Sequence, residues 1–193
     1  MGEVFRHVTG TPAAQFLAEE LFAPLGIEDT FLSPPAEQYP RIVECTRPNG
    51  ADMLPELLGL GSLAGSIFST ARDLVQFGKL FLAGGRTADG SQLLSPTTVA
   101  TMLVDRTSHL PPAPGTPPGK RWIGLGWMLA APTLWACDLV SPPAFGHQGS
   151  TGAYLLIDPT YEFVVALIGD RWGGDPAGLA EVMNAAVASI AAE

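Results

Sequence analysis

The chain has 193 residues, of which 47% are hydrophobic and 15% are charged, so its composition indicates a globular protein with a core. The formal net charge of −9 argues against a nucleic-acid-binding surface, because such a surface needs clustered Lys and Arg. The longest apolar runs, such as Phe163–Ile168, are far too short to span a bilayer. Residues 1–7 lack the apolar stretch of a signal peptide, so the default expectation is a cytoplasmic protein. Cys45 and Cys137 are expected to be free, partly buried thiols.

Four segments carry the signals that begin a helix. Thr11–Pro12, Ser95–Pro96 and Asp175–Pro176 each place a side-chain oxygen before a proline. The oxygen can cap free N–H groups, and proline fits the first helical position. These pairs predict helices over 13–22, 97–104 and 177–192. Ser69–Asp73 predicts a fourth helix, which ends at Gly84–Gly85.

The second half of the chain predicts an antiparallel sheet. One strand is expected at Trp122–Leu129, and a hairpin is expected from Ala153–Ile157 and Phe163–Ile168. Both hairpin strands are nearly all apolar, so both faces should be covered. The terminal helix is the expected cover for one face through residues at helical spacing, which are Leu179, Val182, Met183, Ala186, Val187 and Ile190. The stretches 32–61 and 110–120 are predicted to be loops, and residues 1–193 are predicted to form one α+β domain.

The candidate functional residues lie in the run Phe145–Gly152, where a histidine and three spaced glycines precede an apolar strand. Glycines at this spacing allow close approach of the backbone to a ligand, and His147 could add a hydrogen-bonding or positive group. A structural role for His147 is the alternative. Since no histidine has metal-ligand spacing to another His, Cys or carboxylate, neither a metal nor a cofactor is expected. His7 and His109 are expected to be surface or packing residues.

The run Phe145–Gly152 resembles the third active-site element of the serine β-lactamase and penicillin-binding-protein superfamily. In its class C and esterase branches, His-x-Gly replaces Lys-Thr-Gly. Four further segments resemble the family in its own order, and they are Glu20–Thr30, Gly65–Leu74, Gly124–Trp127 and the hairpin that begins at Asp158–Pro159. The resemblance covers nearly the whole chain and implies an incomplete β-lactamase/transpeptidase-like fold, in which an antiparallel sheet is flanked by helices.

The resemblance also implies roles for four residues. His147 would steady the substrate or a tyrosine proton, and the backbone N–H of Ser150 would be one oxyanion-hole donor. Gln148 and Gly149 would contact the substrate, a small acyl compound such as an ester, a lactam or a peptide.

The two other active-site elements of the family, Ser-x-x-Lys and Tyr-x-Asn, are absent from this sequence. The expectation is therefore a C-terminal part of a serine hydrolase that lacks the nucleophile region and is inactive alone. Its expected partner is the missing N-terminal segment or a second copy of the chain. A non-catalytic binding module on the same fold is the alternative, and a stand-alone enzyme of another class ranks last.

Overall fold

The computed structural model describes residues 2–111, 122–129, 137–171, 173 and 176–190. The α-helices of these residues are α1 (Gly2–Thr9), α2 (Ala13–Leu17), α3 (Leu54–Leu60), α4 (Ala71–Leu82), α5 (Pro96–Met102) and α6 (Pro176–Ile190). The strands are β1 (Met128–Leu129), β2 (Phe145–Gln148), β3 (Tyr154–Asp158) and β4 (Phe163–Leu167). A π-helical turn spans Ala18–Phe22, and short 3₁₀ helices span Ala23–Leu25 and Ala36–Arg41.

The four strands form one antiparallel sheet in the order β1-β2-β3-β4. The α+β prediction and the β3–β4 hairpin are confirmed. The predicted strand Trp122–Leu129 is wrong for most of its length, because only Met128 and Leu129 pair with β2. The chain turns at Gly124–Gly126, where Gly124 N–H donates to the Trp127 carbonyl at 2.8 Å.

Helices cover both faces of the sheet, as the apolar hairpin strands predict. On one face, Met183 and Val187 of α6 pack with Leu156 and Phe163. The residues on the opposite face join α4 to the sheet, and they include Leu80, Phe81, Trp127, Phe145, Leu155 and Ile157. Successive residues of β3 thus enter opposite cores, because side chains alternate along a strand.

The predicted packing face of α6 is wrong at two positions. Met183 and Val187 are buried, whereas Val182 is 52% exposed and Ile190 is 42% exposed. The helix is apolar nearly all round, so its periodicity cannot select one stripe. Packing against the sheet selects the stripe that contains Leu179, Met183 and Val187.

Two of the predicted helix caps are confirmed. The Thr70 hydroxyl accepts from the Asp73 N–H at 3.1 Å, and the Ser95 hydroxyl accepts from the Thr98 N–H at 3.0 Å. The predicted Thr11 cap is wrong, because Thr11 N–H donates to the Thr9 hydroxyl and α2 begins after Pro12 with no side-chain cap. Asp175 lies outside the described residues.

The predicted loop 32–61 is wrong where it contains α3 and the 3₁₀ helix Ala36–Arg41. α3 begins without a side-chain cap, and Pro55 occupies its first turn. Proline fits that position since its missing N–H would have no helical partner there. The predicted loop 110–120 falls outside the described residues, except for Leu110 and Pro111.

Gly78 in α4 is a point of close contact between helix and sheet. A Cβ at this position would lie 2.5 Å from Cγ1 of Val164 and 3.3 Å from Cγ1 of Ile157. Both distances are shorter than ordinary van der Waals contact. The missing side chain of Gly78 therefore lets α4 lie directly against the β3–β4 hairpin.

Gly78→Ala should destabilise the fold by about 1–3 kcal/mol, because the added methyl group overpacks against Val164. In a Val164→Ala background the same change should cost much less, or stabilise the fold by up to about 1 kcal/mol, because alanine favours helix and only the milder contact with Ile157 at 3.3 Å remains. Urea unfolding of the two single variants, the double variant and the parent chain measures this coupling. An equal effect of Gly78→Ala in both backgrounds would contradict the close packing.

Candidate functional site

Strand β2 carries the His147-Gln148-Gly149-Ser150 run to the edge of the paired region. Phe145 and Gly146 are buried and pair with β1, whereas His147 and Gln148 are exposed. Beyond Gly146, β1 no longer accompanies β2, because the chain turns away. In the described part of the chain, the β1-facing edge of β2 is therefore unpaired from His147 onward.

The hydrogen bonds between β2 and β3 show which backbone N–H and C=O groups of β2 point toward the open edge. Gly149 N–H donates to the Ala153 carbonyl at 2.7 Å, so Gly149 faces β3. Backbone groups alternate sides along an antiparallel strand, so those of Gln148 face the open side. Ser150 accepts from the Gly173 N–H at 2.7 Å through its carbonyl, and its own N–H has no acceptor among the described residues. A free donor and an open edge thus lie together.

The turn before β1 is held by close backbone packing. A Cβ at Gly124 would lie 2.1 Å from the Met102 carbonyl oxygen, a distance that no side chain tolerates. Leu125 N–H donates to the same carbonyl at 2.8 Å. The turn places Trp127 in the core, with its ring centroid 4.7 Å from Phe81 and 5.2 Å from Phe145.

The start of α4 is tied to a segment forty residues earlier by one buried carboxylate. Asp73 accepts from the Asp29 N–H at 2.9 Å and from the Thr30 hydroxyl at 2.8 Å. The Thr30 hydroxyl also lies 2.8 Å from that of Ser69. Two motifs that are separate in the sequence, one ending at Asp29–Thr30 and one at Ser69–Asp73, therefore form one hydrogen-bonded cluster.

A cavity of about 720 Å³ opens between this cluster and the sheet. Its apolar wall includes Phe31, Leu57, Phe68, Phe77, Phe81 and Trp127. The segment around Cys45 closes one side, because Thr46 N–H donates to the Asp170 carbonyl at 3.0 Å just after β4. Cavities of this size and polarity are typical of small-molecule sites.

One ion pair lies at the rim of the cavity. Arg41 donates to both carboxylate oxygens of Asp29, with Nη1–Oδ1 at 2.5 Å and Nη2–Oδ2 at 2.8 Å. This hydrogen bonding holds the pKa of the Asp29 carboxyl below its ordinary value. Arg41 also donates to the Gln38 side-chain oxygen at 2.7 Å. Its charge is therefore already engaged by groups of the chain itself.

The structure brings three of the four sequence-predicted site residues to the cavity. His147, Gln148 and Gly149 line it, whereas Ser150 lies just beyond the lining and is exposed. His147 is exposed and therefore is not a core histidine. His109, also exposed, does not line the cavity.

Sequence reasoning missed the opposite wall of the cavity. Leu54 and Leu57 of α3, together with Ile42 and Val43, line the cavity but belong to the predicted loop. The Leu54–Leu57–Leu58 spacing was the available helical signal. Thr151 and Tyr154, which follow the glycine run, also line the cavity.

In the described part of the chain, neither the cysteines nor any cluster of metal-binding side chains forms a second centre. Cys45 and Cys137 are free, as predicted, but they are buried and not partly buried, and this burial raises the pKa of both thiols. Among the described residues, no three His, Cys, Asp or Glu side chains are grouped to hold a metal ion. The same residues include no helix long and apolar enough to cross a membrane.

The sequence model of the family described as Beta-lactamase matches residues 1–189. This chain belongs to the Beta-lactamase family. The match confirms the resemblance carried by the Phe145–Gly152 run and by the four ordered segments.

Three comparisons show which known proteins this chain is similar to. Penicillin-binding protein 4 of Amycolatopsis lactamdurans is 29% identical over 180 residues, which cover 87% of this chain and 44% of that protein. A penicillin-binding protein homologue from Caulobacter crescentus superposes with a TM-score of 0.73 at 25% identity, over 97% of this chain and 55% of its own. A family VIII carboxylesterase shares the fold, with a TM-score of 0.71 at 20% identity. The superposition covers 98% of this chain and 55% of the carboxylesterase chain. The chain thus spans less than half the length of the curated relative.

Asp73→Ala should destabilise this family member by about 2–4 kcal/mol, because two donors from a distant segment lose their charged acceptor. Asp89→Ala is the matched control, since exposed Asp89 also accepts two hydrogen bonds but only from its own turn, from Thr87 and Ser91. The control should cost about 0.5 kcal/mol or less. Urea unfolding measures both variants, and equal losses would contradict the role of Asp73 as a long-range tie.

Proposed function

We propose that this chain is the substrate-binding part of a serine hydrolase that acts by acyl transfer. The observation that carries the proposal is the open β2 edge beside an apolar cavity, with the unpaired Ser150 N–H at its end. Acyl transfer needs fixed N–H donors where the carbonyl oxygen becomes negative. It also needs a surface that holds the acyl compound next to them.

Each residue of the run has a separate role in this proposal. Ser150 N–H donates to the developing oxyanion, and the second donor is the N–H of the nucleophilic serine. His147 faces the substrate, where its imidazole holds the acyl compound or the proton of a tyrosine. Gln148 presents its backbone groups to the substrate along the open edge, and Gly149 keeps the space above the edge clear.

The nucleophile and the second proton-handling element come from a preceding segment with Ser-x-x-Lys and Tyr-x-Asn. This chain has only two lysines, Lys79 and Lys120, and neither follows a serine by three residues. Ser69 and Arg72 have the right spacing, but arginine stays protonated and cannot be a base. The Ser69 hydroxyl is also engaged with Thr30. In this proposal the chain alone therefore lacks a serine that a Ser-x-x-Lys lysine could activate.

The unpaired outer edge of strand β4 supports the proposal that another segment or chain packs against this domain. Its sequence Phe163–Leu167 contains no charge and no proline, the usual protections of a free edge. On the side away from β3, β4 pairs with no other strand of the described residues. In this proposal the preceding segment covers that edge, and in its absence a second copy of the chain covers it.

The 193-residue chain should neither hydrolyse nitrocefin or p-nitrophenyl esters nor react with a fluorophosphonate. The same chain fused to a preceding segment with Ser-x-x-Lys and Tyr-x-Asn should be labelled stoichiometrically at that serine, because its base and oxyanion donors are then complete. Mass spectrometry of the labelled peptides identifies the serine. Labelling of Ser69 or Ser150 in the chain alone would refute the proposal. A folded but unlabelled fusion would instead favour a non-catalytic binding module.

His147→Ala in the fused protein should lower kcat/KM by about 10²-fold, the lower end of the effect of a proton-handling side chain. The unfolding free energy should change little, because His147 is exposed. His109→Ala is the control, since His109 is also exposed but lies outside the cavity lining. Parallel losses of activity and stability in His147→Ala would assign this residue a structural role only.

A further inference from the structure

The polar side chains of the cavity are unevenly engaged. Asp29, Arg41 and Gln38 bond to one another, and the Ser69 and Thr70 hydroxyls bond within the chain at the start of α4. By contrast, five lining residues have polar side chains with no hydrogen-bond partner in the described part of the protein. The indole N–H of Trp127 is buried, and the other four residues, His147, Gln148, Thr151 and Tyr154, are exposed or partly exposed.

These four residues lie at one end of the cavity. Gln148 and Tyr154 are directly opposite each other across β2 and β3, His147 precedes Gln148, and Thr151 follows it by three positions. The free Ser150 N–H belongs to the same end. Among the described residues, the exposed or partly exposed side chains without a hydrogen-bond partner are therefore gathered here, next to the open edge of β2.

Apart from the polar groups that bond within the chain, the rest of the described lining is mostly apolar. Three apolar lining residues are strongly exposed, namely Val43 at 64%, Ile67 at 46% and Ile168 at 45%. Several exposed apolar side chains around one cavity indicate a binding surface for an apolar ligand or partner, because monomeric proteins rarely expose a large apolar patch to solvent. The apolar part is thus accessible from solvent.

Among the described lining residues, no Lys or Arg is free to pair with an anionic ligand. Arg41 is the one Lys or Arg among the described lining residues, and Asp29 neutralises it with two hydrogen bonds. Moving a carboxylate from water into an apolar site without an unpaired cation is strongly unfavourable. A neutral ligand avoids this cost.

We infer that the cavity binds the neutral, apolar acyl group of an ester, with the carbonyl at the His147–Ser150 end and the hydrocarbon part against the apolar wall. This assignment of the ligand rests on the proposed acyl-transfer function. It narrows the substrate class, because acyl compounds that carry a carboxylate fit the cavity poorly. The volume of about 720 Å³ is within the range that holds a small organic molecule.

Two anilides of matched length test the charge preference by binding alone. N-phenylhexanamide is neutral, and 6-anilino-6-oxohexanoic acid carries a carboxylate at the far end of the same chain. Both amides resist hydrolysis, so calorimetric titration of the 193-residue chain reports affinity whether or not a nucleophile is present. The neutral anilide should bind at least about tenfold more tightly at neutral pH.

Ile67→Arg supplies the missing cation inside the cavity and should reverse this preference, because its guanidinium can pair with the carboxylate. Ile67 is 46% exposed, so the change leaves the core intact. Leu139→Arg is the matched control, since Leu139 is 47% exposed and lies outside the cavity lining. The control should keep the preference for the neutral anilide, and circular dichroism checks that both variants fold.

Equal binding of the two anilides, tighter binding of the carboxylate, or binding of neither would overturn the inference. Binding of neither together with dimers in sedimentation would show that a second copy fills the cavity. Failure of the proposed function has a different signature, in which the fused protein is not labelled by fluorophosphonate. If the neutral anilide still binds in that case, the apolar cavity stands as a binding site and only the catalytic proposal falls.

Discussion

The contact of α4 with the β3–β4 hairpin at Gly78 fixes the geometry on which the candidate site depends. With no side chain at this position, the helix lies directly on the sheet, and its apolar face becomes the floor of the cavity. The N-terminus of the same helix carries Asp73, which holds the Asp29–Thr30 segment. The close packing at Gly78 therefore orients the α4 residues that form the floor of the cavity. It also orients Asp73, which holds the segment at the opposite wall.

The site divides its physical tasks between two surfaces. The β2 edge from His147 to Ser150 offers hydrogen-bonding groups, while the walls opposite offer apolar area. The Arg41–Asp29 pair neutralises the charge at the rim. Penicillin-binding proteins and a carboxylesterase share this fold, so the fold alone does not select a substrate. In our proposals, the lack of a free Lys or Arg in the described cavity wall selects neutral substrates.

Features encoded within a few residues were predictable from the sequence. The caps at Thr70 and Ser95 require only a hydroxyl and an N–H three positions later, so both were predicted correctly. The β3–β4 hairpin follows from two apolar runs around Pro159. The candidate run at His147 was found because its glycines and its family resemblance are local signals. In each case the physical cause lies inside the segment that forms the element.

The tertiary structure alone decided what depends on distant partners. The sequence of α6 is apolar nearly all round, so only the sheet could leave Val182 in solvent while it buried Val187. The cavity wall from Phe31 to Phe68 lies mostly in a predicted loop. Long-range hydrogen bonds hold it in place, such as the bond from Thr30 to Asp73, which joins residues more than forty positions apart. The sequence by itself determined the family, the α+β class and the candidate run. The shape and charge of the cavity arise from long-range packing and hydrogen bonding, which no local pattern encodes.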